Sequence, residues 1–325
     1  MIAGIAAALD THPLLGLGEL HRQASIHHLY RRLVADPRIL CRIDDIVVEF
    51  GNSRLQHIAD RYVGYRRGAP VSLPEKRAIW RDTGQWMVWD SPLYERFFDA
   101  VRDANARKTC AKPVRVLLAD PPIDWSRVKS AEDYRRYRIR DQFFADLLES
   151  QVLKPGRRAL VIAGSPHLWQ ALPANTAEKP TMGQIVRARH PGAMLSLIML
   201  PDAGIAAKLG LPPAPGLIMI GDMALGRRSF GDMVPADEPI EMMVDGKAAA
   251  TPMAEVPWPA AALVVGGLLN LEIGAPVEPS ADIYRDPDYQ AELRRRAAIL
   301  HQVHGVDFEA MLDAMLKAPS SDVGH

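Results

Sequence analysis

The sequence predicts an α/β fold: a mostly parallel central sheet flanked by helices, with a helical insertion and a C-terminal extension. Two patterns predict it. Short apolar runs recur without strict alternation, as strands do when both faces of a parallel sheet are covered: "PLLGLGEL", "DDIVVEF", "PVRVLLAD", "RRALVIAGSPH" and "AMLSLIMLP". Between them lie longer stretches whose apolar positions recur at three and four, the spacing of a helix face. Strand and helix in alternation imply parallel pairing through right-handed crossovers. A chain of 325 residues suits one large domain, or one domain with an appendage, better than several small ones.

Taken in order, the chain opens on "MIAGIAAALDTH", an apolar patch without a basic leader that runs within a few residues into the first strand. No removable signal is expected there. "RQASIHHLYRRLVAD" predicts the helix after the first strand and "NSRLQHIADRYVGYRR" the helix after the second. The stretch from Gly64 to Asp90 fits no simple strand-helix unit; Trp80, Trp86 and Trp89, with its Pro and Gly residues, predict a helical insertion near 64–106 or a lid over the strand ends. "PLYERFFDAVRDANARK" leads into the third strand, "AEDYRRYRIRDQFFADLLESQV" reads as one helix before the fourth, and "TMGQIVRARH" as a helix before the fifth. After Pro201 the pattern weakens: "GLIMIGD" predicts an added strand, "PADEPIEMMVDGKAAATPMAEVPWP" a loop or hairpin, and "ALVVGGLL" one more strand. "DPDYQAELRRRAAILHQVHG" predicts a helix capped by Asp286. The expected organisation is a domain over 1–240 and a C-terminal extension over 241–325 packed on the same domain.

Composition narrows the partners. Lys plus Arg and Asp plus Glu balance at 39 each, so no global field recruits nucleic acid or an anionic membrane, and a small-molecule substrate is the expected partner. No apolar run approaches the roughly 20 residues of a membrane helix. Cys41 and Cys110 lack CxxC spacing, and a chain of this length does not need a bridge to fold, so both are expected reduced. A cytoplasmic location follows.

Polar groups collect where the apolar runs end: Glu19 and His21 after the first, Glu49 in the second, Asp120 in the third, His167 past the fourth. In an open parallel sheet those ends share one edge, where ligands bind. Glu19 and His21 have the same parity, so on a regular strand both leave the same face. Taken singly, Glu19, Glu49 and Asp120 read equally as helix-cap or turn residues.

"GLGELH" with the downstream "HH", then "IVVEF", "RIRDQFFADLL" and "ALVIAGSPHLW", in this order, resembles the superfamily joining erythromycin esterases, ChaN-like haem-binding lipoproteins and the Tiki proteases. Its elements are a Gly-Glu-x-His motif, a second-strand Glu, a helical Arg-Asp pair and a late Gly-x-x-His. "IWRDTGQWMVWDSPLYERFFDAVRDANA" is similar to the helical segment that the esterases carry ahead of the third strand. Position by position, the resemblance makes Glu19, His21, Glu49, Arg140 and His167 the candidate catalytic site, with Asp141 beside Arg140. Four departures stand out. Glu19 to His21 is one residue shorter than the usual esterase form, Arg22 replaces a frequent Asp of the ChaN group, and Phe144 a common Met; the lipoprotein cysteine is absent.

The resemblance implies hydrolysis of an ester, lactone or amide. A neutral His21 would take a proton from water, Glu19 or Glu49 would fix its tautomer, Arg140 would stabilise an oxyanion, and His167 would act as acid or second base. No cofactor is expected in that version, since no HxxH or HxH pair among the candidate residues supplies a chelate; a zinc or manganese ion held by His21, Glu49 and His167 is the metal version. The rival from another class is a ChaN-like protein that binds haem or another tetrapyrrole without turnover through an axial Tyr or His, often as a homodimer sharing the cleft.

Other residues are set aside. Ser165 has no GxSxG elbow, and the glycines of "LPDAGIAAKLGLPPAPG" form no phosphate loop. His27 and His28 read as packing or surface residues of the first helix; His57, His190, His301 and His304 read as surface. "RRYRIR" reads as a solvated helix face whose last Arg turns inward.

Overall fold

The computed structural model describes residues 1–221 and 223–317. The strands are β1 (Leu14–Glu19), β2 (Asp45–Asn52), β3 (Arg115–Asp120), β4 (Ala159–Gly164), β5 (Met194–Met199), β6 (Gly216–Met219), β7 (Pro239–Val244), β8 (Lys247–Pro252) and β9 (Gly267–Asn270). A seven-stranded sheet has the order β3-β2-β4-β1-β5-β9-β6, parallel throughout except that β6 runs antiparallel to β9. β7 and β8 form a separate hairpin. Every residue of β1, β2 and β4 is buried, which is why their sequences are continuous apolar runs rather than alternating ones.

Register places the polar ends. Glu19 of β1 lies opposite Gly164 of β4. The pairing of β2 with β4 ends at Val48, and its pairing with β3 shifts between Val48 and Asn52. Glu49 therefore sits just where the regular ladder stops, and its side chain is free to serve the sheet edge. Gly18 permits a second close approach: a Cβ there would lie 2.8 Å from Ser165 Oγ and 3.0 Å from the Ser165 backbone. Without side chain, β1 lets the 3-10 turn Ser165–Leu168 pack directly on it, and that turn carries His167.

The insertion is helical, with helices Leu73–Arg81 and Pro92–Ala106 started by Ser72 and Ser91. It stacks aromatic side chains on the sheet: Phe50 of β2 meets Trp89, Tyr94, Phe97 and Phe98, with ring centroids 4.8 to 6.1 Å apart. The helix Pro287–His304, capped by Asp286 and followed by a helix Phe308–Lys317, grips this insertion. Trp86 Nε1 donates to the Leu293 carbonyl at 3.2 Å, and Arg296 donates to Asp82 at 2.7 Å. Positions 318–325 of the predicted extension lie outside the described residues. No helix among the described residues is long and apolar enough to cross a membrane.

Two expectations change, and the N-terminal patch, to which the sequence assigned no element, is a helix, Ile2–Thr11, whose Ile5 and Leu9, four apart, are fully buried. "AEDYRRYRIRDQFFADLLESQV" is two helices, Ala131–Arg135 and Arg140–Leu148, so Arg140 opens a new helix instead of continuing one. Cys41 and Cys110 are joined in a disulfide with Cα atoms 5.2 Å apart. Cys41 follows the short helix Pro37–Leu40 and Cys110 follows Pro92–Ala106; packing brings together two cysteines that are 69 residues apart, which no local spacing could show. Such bridges persist in oxidising compartments rather than reducing ones.

Thiol titration of the purified chain, unfolded without reductant, should find no free cysteine, and two after reduction. A bridge closing a loop of this length is worth up to about 4 kcal/mol in the chain-entropy model, so reduction should lower the melting temperature by several degrees. Free thiols in the unreduced chain would contradict the bridge.

Candidate active site

β1 delivers Glu19 to the sheet edge with only 2% of its surface exposed. Its Oε1 accepts from the Tyr94 hydroxyl at 3.0 Å and faces His21 Nδ1 at 2.8 Å. Its Oε2 comes within 3.4 Å of His27 Nε2 without hydrogen-bond alignment. Burial, reinforced by the Glu19 charge, pushes the Tyr94 and Tyr30 hydroxyls well above their ordinary range, so both stay protonated donors. Tyr30 donates to the Leu17 carbonyl at 3.3 Å. Burial keeps His27 neutral.

His21 lies beyond the strand on a turn where Arg22 adopts the left-handed conformation, φ 65°. That backbone is tied down from far away: the Arg22 carbonyl accepts from Val277 N at 2.8 Å, and its guanidinium pairs with Glu278. The imidazole stands edge-on to Trp89, centroids 4.8 Å apart, and over Gly164. A Cβ on Gly164 would sit 3.1 Å from His21 Cε1 and 3.5 Å from Glu49 Oε2, so glycine is what lets both groups occupy this spot. His21 is 37% exposed through its side chain, and its Nε2 has no protein partner among the described residues. Burial would lower its pKa, but the Glu19 hydrogen bond and charge, with Glu49, raise it above 6.5.

Glu49, 3% exposed, is saturated. Oε1 accepts from Arg140 at 2.6 Å and from His167 Nε2 at 3.1 Å, and Oε2 accepts from the Gly164 amide at 2.7 Å. Burial would raise its pKa; the cations of His167 and Arg140 outweigh it and hold the carboxyl well below the usual range. Arg140 reaches two strands at once, its Nε donating to Asp120 at 2.8 Å. Burial raises Asp120, countered by Arg140 and by the Gly84 amide at 2.6 Å. His167 lies between carboxylates, with Nδ1 on Asp141 at 2.7 Å. Burial works against its charge, yet Glu49 and Asp141 push its pKa up to about 10. It is an imidazolium at neutral pH.

All five side chains inferred from the resemblance therefore meet at one sheet edge, and Asp141 pairs with His167 rather than with its neighbour Arg140. The role of second base does not suit His167, because both its nitrogens face carboxylates. Several participants had no motif to reveal them. Asp120, counted only among the strand-end groups, is the second partner of Arg140; Tyr94, Trp89 and Gly84 come from the insertion, where only the aromatic density of "GQWMVWD" hinted at them. Ser165 donates to the Glu19 carbonyl at 3.4 Å and is buried, as a structural hydroxyl would be. A cavity of about 420 Å³ opens on Arg140, Asp141 and His167, with His304, read from the sequence as surface, in its wall.

The donor set does not suit a divalent cation. Glu49 and His167 are committed to one another and to Arg140, Gly164 and Asp141, and a guanidinium sits among them. Among the described residues, no group of three or more His, Cys, Asp and Glu could hold a metal. For haem, the nearby tyrosines are buried and already donating, which leaves His21 as the open axial candidate in charged surroundings.

No family model and no curated protein matches the chain. Solved structures do. A protein from Bacillus cereus superposes with a TM-score of 0.50 at 12% identity, covering 83% of this chain and 90% of its own. A succinoglycan biosynthesis protein gives the same TM-score and coverage at 10% identity. An erythromycin esterase variant in its open conformation gives 0.48 at 10% identity, covering 84% and 93%. At such identities the likeness is one of fold.

In an NMR titration, the His167 ring should change charge near pH 10 rather than near 6.5, and Asp141→Asn should move that transition downward. Because the folded value is raised, this histidine's contribution to stability is complete below about pH 6.5 and disappears as pH rises through about 10. A transition between pH 6 and 7 would contradict the two-carboxylate clamp.

Proposed function

We propose that the protein is a hydrolase of the erythromycin-esterase type, cleaving an ester, lactone or amide with water activated by His21. The observation that carries this reading is the His21–Glu19 pair. Nδ1 is fixed at 2.8 Å on a buried carboxylate, and Nε2, on a ring whose side chain is 37% exposed, has no protein partner among the described residues.

Glu19 holds the proton on Nδ1, so in the neutral ring Nε2 is the lone-pair nitrogen. Nε2 takes a proton from water while the oxygen attacks the substrate carbonyl carbon. Glu19 stabilises the resulting imidazolium, the same effect that raises the resting pKa of His21. The oxyanion that forms is met by the Arg140 guanidinium, while His167, both of whose nitrogens face carboxylates, adds only its nearby positive charge. Collapse of the tetrahedral intermediate breaks the carbonyl–leaving-group bond, and the leaving oxygen or nitrogen takes the proton that His21 removed. Glu49 and Asp120 act by holding Arg140 and His167 in place.

With an activated ester, His21→Ala should reduce kcat/KM by about 10² to 10⁴, the usual value of a general base, with little change in melting temperature because the ring is partly exposed. His167→Ala should also slow turnover but lower the melting temperature, since Glu49 and Asp141 both lose a cation. Full activity in His21→Ala would overturn the reading.

A further inference from the structure

We infer that the cavity beside Arg140 and His167 receives the anionic end of a small molecule with an apolar or aromatic body, and that Arg138 and Lys179 hold that anion. The inference deepens the hydrolase reading by naming a substrate class, and rests on that reading only for the claim that the bound molecule is cleaved.

Charge accounting within the cavity leads to it. At about 420 Å³ the space suits a small ligand. Its two lining carboxylates are already matched: Asp120 accepts from Arg140 and the Gly84 amide, and Asp141 accepts from His167 and the Met182 amide at 2.7 Å. The remaining formal charges on the wall, Arg138 and Lys179, are both positive, and neither has a carboxylate within ion-pair distance among the described residues. Arg138 lines the cavity beside Tyr134 and His304 while its side chain stays exposed. A cation entering would meet these groups and the Arg140–His167 pair. A neutral molecule would gain only hydrogen bonds from them, without the charge attraction.

The same wall offers apolar surface for the rest of the molecule. Ile139, between Arg138 and Arg140, leaves 51% of its surface exposed, and Ile123, Ile185 and the Tyr134 and Tyr137 side chains line the space. "RRYRIR" thus divides its work: Arg140 turns in to Glu49 and Asp120, while Arg138 stays at the cavity unpaired.

The test is calorimetric binding at low salt of a matched pair, 3-phenylpropionate and 3-phenylpropionamide, to the full-length chain and to an R138E/K179E variant, both substitutions being on exposed side chains. The carboxylate should bind about tenfold tighter than the amide to the native chain, as expected of two screened charge contacts, and the preference should vanish in the variant and in high salt. Equal binding of the two compounds, no binding of the carboxylate, or a preference that survives charge reversal overturns the inference. Turnover is read separately, with the monophenyl esters of dicarboxylic acids, which keep one free carboxylate: absence of hydrolysis together with a charge-dependent preference in binding would sink the hydrolase reading and leave the anion site standing.

Discussion

The structure around the site depends on the compensation of one buried carboxylate. Glu49 stands at the point where β2 leaves its regular pairing, almost without solvent, and an ion so placed is tolerated only if its oxygens are fully engaged. Arg140, His167 and the Gly164 amide engage them. Each of those partners comes from a different element, so satisfying Glu49 fixes the start of the helix Arg140–Leu148, the turn after β4 and the end of β4 itself. Asp120 and Asp141 then extend the network outward by binding the far sides of the same two cations.

Glu19 and His21 stand next to this network without being absorbed by it. Glu19 is dressed by Tyr94 and approached by His27, both buried, so its orientation is set from below; His21 takes its remaining hydrogen bond from above and keeps the other nitrogen free. Gly164 is the hinge between the two halves. Its amide serves Glu49 and its missing side chain makes room for the His21 ring, so a single residue couples the saturated charge cluster to the open base.

Much of this was legible in the sequence. Continuous apolar runs ending in polar groups are the signature of a parallel sheet buried on both faces, and once such a sheet is assumed its strand ends must converge, which brought Glu19, His21, Glu49 and His167 together on paper. What stayed hidden are relations between segments without periodicity. The Tyr94 and Trp89 contacts arise because the insertion folds back over β1 and β2, and the clasp of Pro287–His304 on that insertion joins parts of the chain that share no motif. The Cys41–Cys110 bridge and the break before Arg140 were misread for the same cause: helix pattern shows which face is apolar, not where tertiary packing will end the helix or which ends will meet.

The central claim is that a buried carboxylate makes His21 a proton acceptor, and the pH dependence of kcat/KM for an activated ester in the native chain and in Glu19→Gln tests it most directly. The native profile should rise with pH, since the base must be neutral, through a pKa above 6.5; in Glu19→Gln the limb should move to lower pH, because burial then acts on the imidazolium with only Glu49 opposing it, and the plateau should fall. Limbs at the same pH in both proteins would contradict the account.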